Sequence, residues 1–283
     1  MRKPITVLAL CAALAVPSEV PAADPAPLGG ARPPARPSTR PTPHSADTDA
    51  ALYERCMKMA QDDPGAARDL AEAWRSRGGA HPADHCYAVA LIGLKQYKEA
   101  GARLETLGQA MTRAPAALRA EALAQAGQAW LLAGDPARAY AAVTAALAQQ
   151  PDDPELLIDR AEAAGAAGWY DKAVDDLDRA LRANPSRVDA LVYRAAALRE
   201  QSRLDLALAD AEKAVKLDPG SAAALLERGN VRRLKGDVAG ARQDWVRVSL
   251  LAPGSAQDAA AKGNIERLEL RQDDSAAKPG RGR

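Results

Sequence analysis

The sequence predicts an all-α protein built of stacked antiparallel helix pairs. Prolines recur at positions 115, 151, 185, 219 and 253, with separations of 36, 34, 34 and 34 residues. Regular spacing of this length is typical of stacked supersecondary units. Phe is absent, aromatic residues make up 4% of the chain, and alanine fills many positions where helices would pack. This composition favours helix over sheet.

Each unit contains two amphipathic helices. With Pro219 as position 32, four units span 120–153, 154–187, 188–221 and 222–255. Positions 4, 8 and 11 form the inner face of the first helix, and positions 20, 24 and 27 that of the second. The first set is Leu123, Gly127, Trp130, Leu157, Ala161, Ala164, Leu191, Ala195, Leu198, Leu225, Gly229 and Arg232. The second set is Ala139, Val143, Ala146, Ala173, Leu177, Ala180, Ala207, Ala211, Ala214, Ala241, Trp245 and Val248.

Turn residues separate these helices. Gly134, Gly168 and Gly236 each follow a first helix, where glycine accepts the backbone conformation that ends it. The closing proline ends the second helix because it cannot donate a backbone N–H.

This pattern resembles the tetratricopeptide repeat: large apolar at position 4, small at 8, Ala at 20, apolar at 24, small at 27 and Pro at 32. The resemblance covers residues 84–255, with 84–119 as a divergent unit, and implies a right-handed superhelical solenoid of stacked antiparallel helix pairs. Residues 48–83 are expected to form a degenerate N-terminal helical repeat.

The C-terminal end of the array is expected to be capped. Residues 256–272 predict a polar capping helix with Ile265 and Leu268 facing inward. Arg232, at a position that is normally apolar, indicates that the last unit is partly solvated. Residues 273–283 are expected to be a disordered tail.

The N-terminus predicts export. Two basic residues precede an apolar run over residues 5–16 and then small residues, which is the order of a cleavable secretory signal peptide. We expect residues 1–23 to be removed by cleavage near Ala22 or Ala23, and the mature chain to lie in a bacterial periplasm. Residues 24–47 are rich in proline and predict a disordered linker.

Three other interpretations of this N-terminal segment have weaker support. The apolar run is shorter than the ~20 residues that span a membrane, which disfavours an uncleaved anchor. Cys11 follows Leu-Ala-Leu in a sequence that resembles a lipoprotein acylation box, but the bulky Leu10 disfavours lipidation. Arginines in the linker could touch an anionic envelope polymer, although a plain spacer explains the composition as well.

Cys56 and Cys86 remain after cleavage and are predicted to form a disulfide, because the periplasm permits such bonds. They fall on predicted helices 50–61 and 82–94, with 65–77 between them, and stacked hairpins place first helices side by side. Closing this loop would stabilise the fold by about 3 kcal/mol.

A metal site at His81, His85, Cys86 and Cys56 is the alternative. Pro82 breaks the helical spacing that such ligands would need, and His81 fits a helix-entry loop equally well. No metal and no cofactor is therefore predicted.

Arginine at position 7 and aspartate at position 23 occur together in three units and are replaced together by alanine in the fourth. The arginines are Arg160, Arg194 and Arg228, the aspartates are Asp176, Asp210 and Asp244, and the alanines are Ala126 and Ala142. Joint presence and absence indicates a charge-assisted hydrogen bond. Two registers fit: within each hairpin, or to the next unit, where Asp244 would meet Lys262.

The resemblance implies that positions 2, 5, 9 and 12 of the first helices face a concave groove. The candidate contact residues are Gln128, Leu131, Glu155, Ile158, Glu162, Asp189, Val192, Arg199, Leu226, Asn230 and Arg233. Position 5 forms an apolar row, and charge changes from acidic to basic along the units, which suits an extended peptide or a helix. Alternatively, the apolar row packs against neighbouring first helices. Ile158 and Val192 occupy the position of the lysine that grips a C-terminal carboxylate in some family members, which disfavours that mode.

Other functional classes lack support. With 27% charged residues and a net charge of +1, the chain has no basic stripe for nucleic acid. It has three His and no phosphate loop or nucleophile motif, so no catalytic residue is predicted. The sequence predicts a periplasmic scaffold that binds a segment of an envelope protein, with monomer favoured. The alternatives are an accessory factor for cytochrome c maturation or outer-membrane assembly, and a self-assembling structural repeat protein.

Overall fold

The computed structural model describes the backbone of residues 43–276 and the side chains of residues 49–270. Across residues 43–276 it contains 13 α-helices and no strand, which confirms the all-α prediction. The helices are α1 (Pro43–Asp62), α2 (Pro64–Arg75), α3 (Ala80–Gly93), α4 (Tyr97–Ala110), α5 (Ala116–Leu132), α6 (Pro136–Leu147), α7 (Pro154–Ala166), α8 (Tyr170–Ala183), α9 (Val188–Glu200), α10 (Leu204–Leu217), α11 (Ala222–Leu234), α12 (Val238–Leu251) and α13 (Ala256–Ala276).

Both terminal helices are longer than predicted. Helix α1 begins at Pro43, inside the segment expected to be a linker, because proline suits the first helical position, where no N–H is needed. Helix α13 continues to Ala276, since residues 264–276 contain no proline or glycine to end it. The predicted signal peptide, the remainder of the linker and the end of the tail lie outside the described residues.

The described residues divide into two compact units, residues 43–134 with 148–150 and residues 135–147 with 151–276. In the first unit α1 packs against α2 and α3, and successive helices from α2 to α5 pack in order. In the second unit, α7 with α8, α9 with α10 and α11 with α12 form three antiparallel hairpins. The first helices α7, α9, α11 and α13 also contact one another in turn.

The core positions predicted from the repeat are buried, with one exception. Arg232 is half-buried and binds Asp244, with an Nη1 to Oδ2 distance of 2.9 Å. Small residues at position 8 let the two helices of a hairpin approach closely. A Cβ at Gly229 would lie 2.6 Å from Nε1 of Trp245, so only glycine fits beneath this indole ring.

The turns need a left-handed residue at one fixed position of each unit. Gly134, Gly168 and Gly236 occupy it with φ of 75°, 76° and 90°. In the unit between the last two, Ser202 takes the same conformation with φ of 59°. The shape of the turn is thus retained where the sequence lacks its usual glycine.

A disulfide joins Cys56 on α1 to Cys86 on α3 in the core of the first unit. Beside it lies His85, whose side chain is buried. Tyr53 donates its hydroxyl to Nδ1 of His85 at 2.7 Å, and Nε2 of His85 donates to Oε1 of Gln125 at 2.7 Å. Burial lowers the pKa of His85, so the imidazole is neutral at pH 7, the form that makes both bonds.

The arginine and aspartate at positions 7 and 23 pair within each hairpin, which settles the register. Arg194 binds Asp210 with both Nε and Nη2, at 2.7 and 2.8 Å. The same forked arrangement joins Arg160 to Asp176 and Arg228 to Asp244. Arg194 also reaches Asp178 of the preceding hairpin, at 2.6 Å. The alternative register is wrong, because Lys262 binds Asp258 instead of Asp244.

We expect Arg194→Ala to lower the free energy of unfolding by about 3 kcal/mol, because the buried Asp210 carboxylate loses its partner. The double variant Arg194→Ala with Asp210→Ala should recover most of this loss, as it reproduces the alanine pair at positions 126 and 142. Thermal and urea unfolding measure both effects. Arg182→Ala, at an exposed site on α8, is the control and should leave stability unchanged. Equal stability of Arg194→Ala and the control would contradict the role of the pair.

Candidate functional site

A crevice of about 270 Å³ opens between α7 and α9 in the second unit. It is lined by Ala161, Glu162, Gly165, Ala166, Tyr170, Ala173, Tyr193, Ala196, Ala197, Arg199 and Glu200. Most of these residues lie on the two first helices, and Tyr170 and Ala173 come from the start of α8. The crevice therefore lies on the first-helix side of this unit, where the family resemblance implied a groove.

Small side chains create the crevice. Five alanines and one glycine line it, so neighbouring helices leave space between their backbones. At Gly165 an added Cβ would meet nothing within 4 Å. Tyr170 and Tyr193 are half-buried and place two aromatic rings in the wall. The result is a narrow recess with small apolar surfaces, two rings and charged groups at its edge.

Two of the predicted contact residues, Glu162 and Arg199, line this crevice. Val192, Leu226, Asn230 and Arg233 lie on the first helices of the same unit and are half-buried. Gln128 and Leu131 are half-buried on α5, which belongs to the first unit.

Ile158 is a correction to the predicted contact surface. Its side chain is only 3% exposed, so it belongs to the core and offers no surface to a partner. Helix α7 packs against α6, α8 and α9, and this packing leaves little of the side chain exposed. At this residue the apolar row is therefore part of the core.

The acidic end of the predicted groove is neutralised within the chain. Arg187 binds Glu155 through both terminal nitrogens and holds Oδ1 of Asp189 at 2.7 Å through Nε. These hydrogen bonds raise the pKa of Arg187 above its already high ordinary value. Glu155 and Asp189 thus act first as partners of Arg187.

Arg199 is also held by carboxylates of the chain. Its Nε lies 2.6 Å from Oε1 of Glu227, and its Nη1 binds Glu200. Glu227 is buried, and Asn230 donates from Nδ2 to its other oxygen at 3.3 Å. Burial raises the pKa of Glu227, although the charge of Arg199 acts in the opposite direction.

The hydrogen bonds of Arg199, Glu227 and Asn230 continue to helix α13 through a second asparagine. Asn264 on α13 donates to Oδ1 of Asn230 at 2.9 Å, and these residues are 34 positions apart. Arg267 in turn donates to Oδ1 of Asn264 at 2.6 Å. Helix α13 therefore occupies the place of one more first helix in the second unit.

Several residues of the site were missed in the sequence. Tyr193 and Glu227 occupy position 6, between the positions expected to face the groove, and Tyr170 begins a second helix. The sequence feature that could have predicted them is a polar or aromatic residue at position 6 of every unit: Gln125, Asp159, Tyr193 and Glu227. Across the described side chains, no group of three or more His, Cys, Asp or Glu residues is placed to hold a metal ion.

The tetratricopeptide-repeat family model matches residues 158–222 and 197–261, which include α9 to α12. A solved tetratricopeptide repeat protein from Parabacteroides merdae has the same fold, with a TM-score of 0.66 and 16% identity over 79% of this chain and 89% of that one. The chain is a tetratricopeptide-repeat protein.

Two other solved structures have lower TM-scores. MamA from Desulfovibrio magneticus RS-1 gives a TM-score of 0.48 at 20% identity, covering 66% of this chain and 95% of that one. The first repeat domain of Spaghetti (RPAP3), solved with an HSP90 peptide, gives 0.39 at 22% identity, covering 42% and 93%. No curated protein sequence is significantly similar to this chain.

The tetratricopeptide repeats make this chain a protein–protein interaction scaffold, and their fold is generally a non-catalytic one. Proteins of this family bind peptide partners. None of the helices described here is long and apolar enough to cross a membrane.

We expect Arg199→Met to destabilise the tetratricopeptide array more at pH 8 than at pH 5. Without Arg199, burial alone acts on Glu227 and raises its pKa further. A carboxyl whose pKa is raised by folding stabilises the fold at low pH and loses that contribution as pH rises. The difference between the two pH values should be at least about 1 kcal/mol, measured by urea unfolding. Adding Glu227→Gln should abolish this difference between the two pH values. Persistence of the pH dependence in the double variant would contradict its assignment to Glu227.

Proposed function

We propose that this tetratricopeptide-repeat protein is exported to a bacterial periplasm and binds a segment of an envelope protein on the first-helix face of its second unit. The crevice between α7 and α9 carries this proposal, because it opens on the face formed by repeat positions 9 and 12. A concave, partly apolar surface with charged edges suits an extended peptide or a helix.

Two features support the location. The apolar run over residues 5–16, preceded by basic residues, has the order of a secretory signal. The disulfide between Cys56 and Cys86 fits an oxidising compartment, since reduced thiols are the rule in the cytosol. The partner is accordingly sought among proteins of the cell envelope.

Self-assembly is the second candidate function. Val246, Leu250 and Leu251 on α12 are 44%, 77% and 45% exposed, and Leu270 on α13 is 65% exposed. Exposed apolar side chains of this size favour association with another surface. A second copy of the chain would cover them if the array continues from one molecule to the next.

Photo-crosslinking in the source cell tests the proposal. A photoreactive residue at Val192 on α9 should yield an adduct with an envelope protein, identified by mass spectrometry. The same residue at the exposed Glu212 on α10 is the control, and it should yield little or none. Adducts of equal yield at both positions would contradict binding on the first-helix face. Adducts between copies of the chain would favour self-assembly, which size exclusion over a range of concentrations would then measure.

A further inference from the structure

The crevice between α7 and α9 carries an excess of negative charge. Glu162 and Glu200 line it together with one cation, Arg199. Arg199 already binds Glu200 and the buried Glu227 behind it. Two carboxylates therefore bind the one guanidinium, and its positive charge is directed at groups of the chain itself.

The size and the walls of the crevice limit what enters it. Its volume of about 270 Å³ is below the ~300–1,000 Å³ of pockets that hold whole small molecules. One long side chain fits in such a space. The rings of Tyr170 and Tyr193 line the wall, and the face of an aromatic ring attracts a cation.

We propose that this crevice receives a lysine or arginine side chain of the bound polypeptide. The alkyl part of such a side chain packs on the alanines, while its charged end approaches Glu162 and Glu200. An acidic side chain would meet the excess of carboxylates. An apolar side chain would remove water from Glu162 and Glu200 without supplying a positive charge. This assignment rests on the proposed binding of a polypeptide to the first-helix face, and it adds the chemistry of one subsite.

The probe is a short peptide selected from a random display library on the full chain. Each basic residue of the selected peptide is replaced by norleucine, which keeps the alkyl chain and removes the charge. We expect one of these replacements to weaken binding to the wild-type chain about tenfold, measured by fluorescence anisotropy. The loss should diminish in high salt, because the attraction is electrostatic.

A double-mutant cycle locates that basic residue. In the variant Glu162→Gln with Glu200→Gln, the norleucine replacement should lower the binding affinity less than about twofold, because the carboxylates that attract the basic side chain are absent. Asp175→Asn removes a charge from an exposed site on α8 and should keep the full tenfold loss. Equal losses of affinity in the wild type, the double variant and Asp175→Asn would place the basic residue outside the crevice and overturn the proposed subsite.

A second variant tests the same site without changing its charge. Gly165→Leu puts a side chain into open space, and its Cβ meets no atom within 4 Å. Leucine also suits a helix better than glycine, so this variant should fold normally, as thermal unfolding would verify. The variant should lower the affinity for the basic peptide at least tenfold and the affinity for its norleucine derivative by less. Unchanged affinity for the basic peptide would overturn the subsite.

The remaining outcomes separate this inference from the proposed function. A peptide that crosslinks through position 192 but needs no basic residue overturns the subsite and leaves polypeptide binding intact. Failure to select any peptide, together with the absence of adducts at position 192, overturns both.

Discussion

The forked bond between arginine at position 7 and aspartate at position 23 fixes the hairpins of the second unit. It joins the first and second helices, where many of the buried residues are alanines. Arg194 illustrates this, since it binds Asp210 in its own hairpin and Asp178 in the preceding one. A planar guanidinium bound by two atoms orients its partner as well as attracting it. The spacing of the first helices, and with it the crevice between α7 and α9, depends on hairpins held in this way.

Charges on the first-helix face serve the fold before they serve a partner. Arg187 holds two acidic residues that the repeat pattern assigned to the groove, and Arg199 holds Glu227 in a buried position. The simple gradient from acidic to basic residues along the units therefore disappears. Glu162 and Glu200 line the crevice with a single cation, Arg199, beside two tyrosine rings. Recognition by this face would depend on one crevice more than on the charge of the whole array.

The repeat period predicted most of the fold, because helix packing depends on residue size at fixed spacing. The core positions are buried as expected, and even Ser202 adopts the turn conformation of its glycine counterparts. The sites were harder to predict. Ile158 and Val192 share position 5, yet Ile158 is 3% exposed and Val192 half-buried, since burial depends on what each neighbouring helix places opposite. Pairing partners such as Glu227 are set by side-chain reach, which a one-dimensional pattern does not contain.

A crystal structure of the chain bound to the segment captured by crosslinking would test the central claim most directly. The expected result is a polypeptide lying across α7, α9 and α11, with a basic side chain within about 4 Å of the carboxylates of Glu162 or Glu200. A segment bound along α8 and α10, with the crevice filled only by solvent, would contradict the claim.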